Sequence, residues 1–226
     1  MRVVVSVGGS VLVPDLDSSR VAGYAAAVEQ LLDAGHEVCV VVGGGATARE
    51  YIGAARELGA NETELDHLGI AVTRLNARLL IAALDERAVS APATDHGAAR
   101  TALRRGDVPV MGGTEAGHTT DAVATALAEY VDADLLVYAT SVPGVFDADP
   151  EADPEATKYS RIGVDDLVAL VAEMDIDAGS NAPVDLLATK LLQRAGLRAV
   201  VLDGSDPEAV VAAVDGDHDG TDIEPR

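Results

Sequence analysis

Residues 2–14 read RVVVSVGGSVLVP, an apolar, β-branched run that breaks into Gly8-Gly9-Ser10. Such a run fits a pleated strand. Consecutive glycines after a strand bring backbone N–H groups against an anion such as phosphate. No lysine or arginine follows, so a phosphate bound there must be neutralised from elsewhere in the chain. The pattern returns in VCVVVGGGATARE (38–50) and in DVPVMGGTEAGHTTDA (107–122). Ligands of a parallel sheet bind beyond the carboxyl ends of its strands, so three glycine ends can converge on one crevice. Glycine also ends strands simply to make a tight turn. The polar residues and helix starts after all three ends favour phosphate binding. None of the three matches GxxxxGK[ST] or GxGxxG, which counts against a P-loop and against an ordinary dinucleotide site.

Outward from these ends the chain alternates. The patterning predicts strands at 2–7, 37–42, 87–91, 107–111, 134–139 and 198–202. Helices are predicted between them, at about 18–34, 46–58, 62–85, 95–105, 119–131, 183–195 and 206–214. The third of these carries Leu65, Leu68, Val72, Leu75 and Leu79 at helical spacing, with Asn61 as its cap and Glu64 three residues on. Alternating β and α segments imply an α/β fold with a mainly parallel sheet and helices on both faces. GVFDADPEADPEATKYSRI (144–162) is rich in Pro and Asp and reads as a long loop or hairpin excursion, the best candidate for an internal boundary.

The length of 226 residues suits one large domain, or two small ones sharing a sheet. With 38 acidic and 16 basic residues the formal charge is −22, which repels DNA, RNA and anionic membranes. Only Lys158 and Lys190 are lysines. Scarce lysine, abundant Asp and Glu, and a core of small aliphatics suggest adaptation to high salt, where self-repulsion is screened. The single cysteine, Cys39, lies within an apolar run and reads as a buried structural thiol. The start lacks the shape of a signal peptide and no apolar stretch approaches 18 residues, so a soluble cytoplasmic protein is expected.

The third glycine end is the richest. Gly112-Gly113-Thr114 is followed by Gly117, His118, Thr119, Thr120 and Asp121, then by a good helix. Thr119 or Thr120 can cap that helix, whose N-terminus attracts an anion. Asp121 in its first turn is either an acid that stabilises the helix dipole or a carboxylate that orients cations around a transferred phosphate. Its surroundings favour the second.

Taken in order, GGSVL, VVVGGGATAREY, DHLGI, VMGGTEAGHTTDAVAT, TSVPGVFDADP and LLATKLLQRAG resemble the archaeal uridylate kinases of the amino-acid kinase superfamily. The resemblance runs through the terminal GDHDGTDIEP and so covers essentially the whole chain. It implies a three-layer αβα sandwich forming a single domain over 1–226. The phosphate acceptor would be bound by about 1–130 and ATP by about 131–226. The implied reaction is transfer of a phosphoryl group from ATP to UMP, helped by Mg²⁺, giving ADP and UDP. The resemblance puts Gly9, Ser10, Gly45, Arg49, Thr140, Ser141, Phe146 and Asp149 at ATP. It puts Gly44, Asp66, Thr114, Glu115, Ala116, Gly117, His118, Thr119 and Thr120 at UMP. It also implies a homohexamer, with no nucleic-acid or membrane partner.

One departure bears on the charge balance. Many members of the superfamily carry a lysine two positions before the first glycine pair, where this chain has Ser6. Lys190 matches the superfamily's C-terminal catalytic lysine. With Asp121 to orient it, and with Arg49 and Mg²⁺, it is expected to supply the missing positive charge. Two rival readings differ in class. Another small-molecule kinase is disfavoured by GGGATAREY, which lacks the histidine usual after that motif in isopentenyl phosphate kinases. A non-catalytic nucleotide sensor is disfavoured by the presence of both Asp121 and Lys190.

Overall fold

The opening run forms β1 (Arg2–Val7), an interior strand of a seven-stranded sheet. The computed structural model describes residues 1–148, 150, 153, 155–174 and 184–226. Its other strands are β2 (Glu37–Val42), β3 (Val110–Met111), β4 (Leu135–Thr140), β5 (Arg161–Gly163), β6 (Ala199–Asp203) and β7 (Thr221–Glu224), in the order β3-β2-β1-β4-β6-β7-β5. All neighbours pair in parallel except β6 and β7. The helices are α1 (Gly9–Leu12), α2 (Ser18–Asp33), α3 (Gly45–Glu57), α4 (Glu62–Leu84), α5 (His96–Leu103), α6 (Thr120–Tyr130), α7 (Val164–Met174), α8 (Leu186–Ala195) and α9 (Glu208–Asp215).

Alternation along the strands builds two cores. Val3, Val5 and Val7 of β1 join α2, α4 and α9 on one face. Val4 joins α5, α6, α7 and α8 on the other, together with Cys39, Tyr138 and Val201. The architecture is therefore the expected three-layer αβα sandwich. Cys39 is fully buried and its thiol is pushed up to about 12 by that burial, as an inert core group should be.

Several local expectations change. The predicted strand at 87–91 is not a strand: Ala88 only bridges Val108, and Ala93 bridges Met111. The strand predicted at 107–111 shrinks to Val110–Met111, because Pro109 has no N–H to give the ladder and offers only its carbonyl, to the Val40 N–H. The sequence reading missed β5, β7 and α7. The two strands are three and four residues long, with Ile162 and Ile223 as their only large apolar side chains, so no periodic run marks them. In the excursion at 144–162, Phe146 bridges Lys158 in antiparallel fashion, as a hairpin would. Contrary to the sequence reading, one 18-residue window within 62–87 has mean hydropathy 1.3. This is α4, whose Val72, Ala77, Leu80 and Leu84 are buried in the fold and whose N-terminus carries the predicted capping box between Asn61 and Glu64.

Candidate functional site

The three glycine ends meet at the carboxyl edge of the sheet. Gly8 N–H donates to Ala139 O at 2.9 Å, and Gly43 N–H to Val7 O at 2.8 Å, which fixes the first two ends against neighbouring strands. There the backbones touch. A Cβ on Gly9 would lie 2.2 Å from the Gly45 nitrogen, and one on Gly45 2.5 Å from the Gly9 carbonyl carbon. Gly45 also sits at φ +66, a conformation that favours glycine. No other residue fits this crossing, so the glycines are there for close main-chain contact as well as for turning the chain.

Helix α4 holds the second and third ends in place. Asn76 donates from Nδ2 to Gly43 O at 2.9 Å and to Gly44 O at 3.2 Å. The Thr73 hydroxyl accepts from Gly113 N–H at 2.7 Å and donates to Ile70 O. Asp66 accepts from Gly117 N–H at 2.7 Å, tying the third loop to the start of α4. Sequence reading named Asp66 but missed Thr73 and Asn76. The available signal was two polar residues, three apart, on a face of α4 that is otherwise apolar.

These elements enclose a cleft of about 300 Å³. Gly44, Gly45, Ala48, Arg49 and Ile52 line it from α3, and Asp66, Gly69, Ile70 and Thr73 from α4. Gly113, His118, Thr119 and Thr120 close it from the third loop. The N-terminus of α3, led by Gly44 and carrying Arg49 in its second turn, gives the cleft amide donors and a positive charge. Thr114, Glu115, Ala116 and Gly117 belong to the same loop, which turns through a His118 N–H bond to Glu115 O, but they do not line the cleft.

Of the residues expected at ATP, Gly45 and Arg49 line this cleft, and the other described ones lie at and beyond the ends of β1 and β4. Gly9 and Ser10 open α1. Thr140 closes β4 with a hydroxyl bonded to its own loop at Val142, followed by exposed Ser141 and half-buried Phe146. Asp149 lies outside the described residues. A second cavity of about 350 Å³ opens beside Pro143. Asp203, Asp206, Asp217 and Asp219 line it, and four carboxylates repel phosphate, so the glycine-lined cleft is the better anion site.

Between the two regions sits Asp121, in the first turn of α6. Ser6, only 3% exposed, donates its hydroxyl to Asp121 Oδ1 at 2.8 Å. Ser6 thus meets the carboxylate as a neutral donor. Burial pushes the Asp121 carboxyl up to about 6; Ser6 opposes the rise and the negative charge of Asp185 adds to it. Asp185, which sequence reading missed, caps α8 by accepting from Ala188 N–H at 3.0 Å, and also accepts from the Thr119 hydroxyl. Thr119 in turn is the residue that caps α6, accepting from Ala122 N–H at 3.0 Å. The structure does not bring Lys190 to Asp121. Ala188, Thr189 and Leu192 turn inward from α8, which leaves Lys190 on the exposed side. There its charge joins the hydrogen bonds of Gln193 and Arg226 in holding Asp165 below the usual carboxylate range.

Residues 1–203 match the model of the amino acid kinase family. The chain is 64% identical to a uridylate kinase of Haloarcula marismortui, over the full length of both. The crystal structure of a uridylate kinase from Archaeoglobus fulgidus superposes with TM-score 0.90 at 45% identity, covering 99% of this chain and 100% of that one. A UMP kinase from Bacillus anthracis superposes with TM-score 0.82 at 26% identity, covering 99% and 95%.

Proposed function

The chain belongs to the amino acid kinase family as a uridylate kinase, phosphorylating UMP with ATP, and from that premise we propose how its carboxyl edge divides the work. UMP occupies the cleft between α3, α4 and the third loop, within about 1–130. ATP lies along the ends of β1 and β4, within about 131–226, with Gly9 and Ser10 reaching it from the first loop. The observation that carries this reading is the crossing of Gly9 and Gly45, which brings the acceptor side and the donor side within main-chain contact of each other. Transfer then requires little covalent work from the protein: positioning and electrostatic stabilisation suffice. Arg49 lines the cleft beside that crossing and neutralises the transferring group. Asp66 has an oxygen beyond the one that holds Gly117, available to a ribose hydroxyl.

Mg²⁺ fits this donor set. Asp121 is a desolvated hard-oxygen ligand, and Mg²⁺ takes one or two carboxylates with the rest from phosphate and water. Asp121 would share the ion with the phosphates of the nucleotide, the usual division for Mg²⁺. When bound, the ion offsets charge on the phosphates.

The proposal extends to a homohexamer, supported by the outer face of α4, where Leu75 is 60% and Leu79 44% exposed. It also extends to a cytoplasmic role in pyrimidine nucleotide synthesis and to adaptation to salt. Adaptation to salt predicts an unfolding midpoint that climbs between about 0.1 and 2 M KCl as repulsion is screened; a flat or falling midpoint removes it.

A panel of acceptors with Mg-ATP at high KCl tests the core reading. UMP is expected to turn over far faster than CMP, dUMP, isopentenyl phosphate or acetylglutamate, and preference for either of the last two overturns it. Substitution ranks the cations. Arg49→Ala is expected to lower kcat/KM by roughly 10²–10³-fold, the scale of one lost transition-state donor. Lys190→Ala is expected to cost less, since its ammonium lies on the outside of α8. The opposite ranking would return Lys190 to the phosphoryl group.

A further inference from the structure

We propose that the hydrogen bond from Thr119 to Asp185 is a latch that couples the two substrates, so that UMP and ATP each tighten the binding of the other. The inference rests on the reading that UMP occupies the cleft. Thr119 belongs to both sides of the latch. It lines the cleft, and its oxygen caps α6 by accepting from Ala122 N–H. Its single proton goes to Asp185 Oδ2.

Asp185 is equally committed. Oδ1 takes the Ala188 N–H and so caps α8, while Oδ2 takes the Thr119 proton. Both acceptor oxygens are in use, which is a reason for aspartate here. Asparagine caps a helix equally well but offers one acceptor oxygen and not two. The latch thus ties the loop at the acceptor cleft to the start of a helix from the C-terminal half. It also fixes a second negative charge near Asp121, the carboxylate proposed to meet Mg-ATP.

The coupling follows from ordering. A ligand that orders the Thr119 loop also holds Asp185 beside Asp121, so the pair of carboxylates that attracts Mg-ATP is already arranged when the nucleotide arrives. The second ligand meets a smaller ordering cost, and by linkage the effect is the same in either direction.

The test is calorimetric and needs no turnover. A non-hydrolysable ATP analogue with Mg²⁺ is titrated into the intact protein with and without saturating UMP, and UMP with and without the analogue. Wild type is expected to show mutual tightening of about 5-fold or more, the lower end of ordinary coupling. Asp185→Ser keeps a hydroxyl oxygen to cap α8 but has no second group to reach Thr119, and should reduce the factor to below about 2-fold; UMP alone should bind as before and Mg-ATP alone more weakly for the lost charge. Thr119→Ser keeps hydroxyl, cap and latch, and should retain the coupling. A wild type that binds both nucleotides independently overturns the latch alone, as does an Asp185→Ser variant with undiminished coupling. A wild type that does not bind UMP overturns the functional reading and the latch with it.

Discussion

The acceptor cleft and the donor edge of the same sheet are held together in different ways. Around β2 and β3 the loops are pinned by a long helix: Asp66, Thr73 and Asn76 of α4 bond to Gly117, Gly113, Gly43 and Gly44, between 32 and 51 residues away in sequence. Beyond β4 and β6 the polar side chains at the strand ends bond within their own turns, and the longer ties come from outside them: Tyr24 OH donates to Gly204 O, and the Thr221 hydroxyl accepts from Val145 N–H. Thr140 bonds to Val142, Asp203 to Ser205 N–H and Asp206 to Glu208 N–H. Long-range bonds set the distance between elements, whereas bonds across two residues only shape a turn. The third loop is therefore set by α4 as far as Gly117, which leaves its Thr119 end for a ligand to order, whereas the strand ends at Thr140 and Asp203 carry only turn-forming bonds of their own.

The largest expected effect lies where the two regions touch. Gly9→Ala puts a methyl group 2.2 Å from the Gly45 nitrogen, which no rotamer relieves because the neighbour is main chain. Activity should fall by roughly 10²-fold or more, in line with an ångström-scale misplacement of reacting groups. Near-normal turnover would show that the crossing does not set the geometry of transfer.

A smaller effect separates the two styles of construction. Thr73→Val leaves the Gly113 N–H without its side-chain acceptor and should cost about 1–3 kcal/mol in urea unfolding. Thr140→Val removes only a bond within its own turn and should cost about 0.5 kcal/mol or less. Equal costs would erase the contrast between the regions.

The smallest effect belongs to the group between them. Asp121 titrates at about 6 when folded against an ordinary 3.8, so the folded chain holds the extra proton between those values. Its contribution to stability therefore falls as pH rises across that window, and the cost persists at neutral pH. Asp121→Asn should flatten this part of the profile and raise Tm near pH 7.5 by about 2–4 °C, while kcat falls. A variant profile parallel to wild type over pH 4–6 would contradict the buried, raised carboxyl.

The contrast also explains what was legible in the sequence. β1, β2, β4 and β6 were readable because buried parallel strands are continuous apolar runs, and the glycine ends of β1, β2 and β3 located the cleft. Arg49, Asp66 and the Thr119–Asp121 segment were readable because they follow those ends or sit in a motif. Thr73 and Asn76 were not, since two polar residues three apart on an apolar helix face do not say along the chain which loops they bond. Asp185 was hidden for another reason: an N-cap is a common local role, and nothing along the chain shows that its second oxygen reaches Thr119 across 66 residues. The Lys190–Asp121 pair was expected from the resemblance and from the scarcity of lysine. Helical phase sets where a side chain points, and α8 turns Lys190 away from Asp121.

Where Gly9 meets Gly45, beside the cleft, main chain meets main chain with no side chain between them. Amide donors are the one kind of anion-binding group that substitution cannot delete, proline aside. A chain carrying 38 acidic and 16 basic residues can therefore drift in surface charge without losing its hold on phosphate. Composition answers to the solvent here, and recognition answers to the path of the backbone.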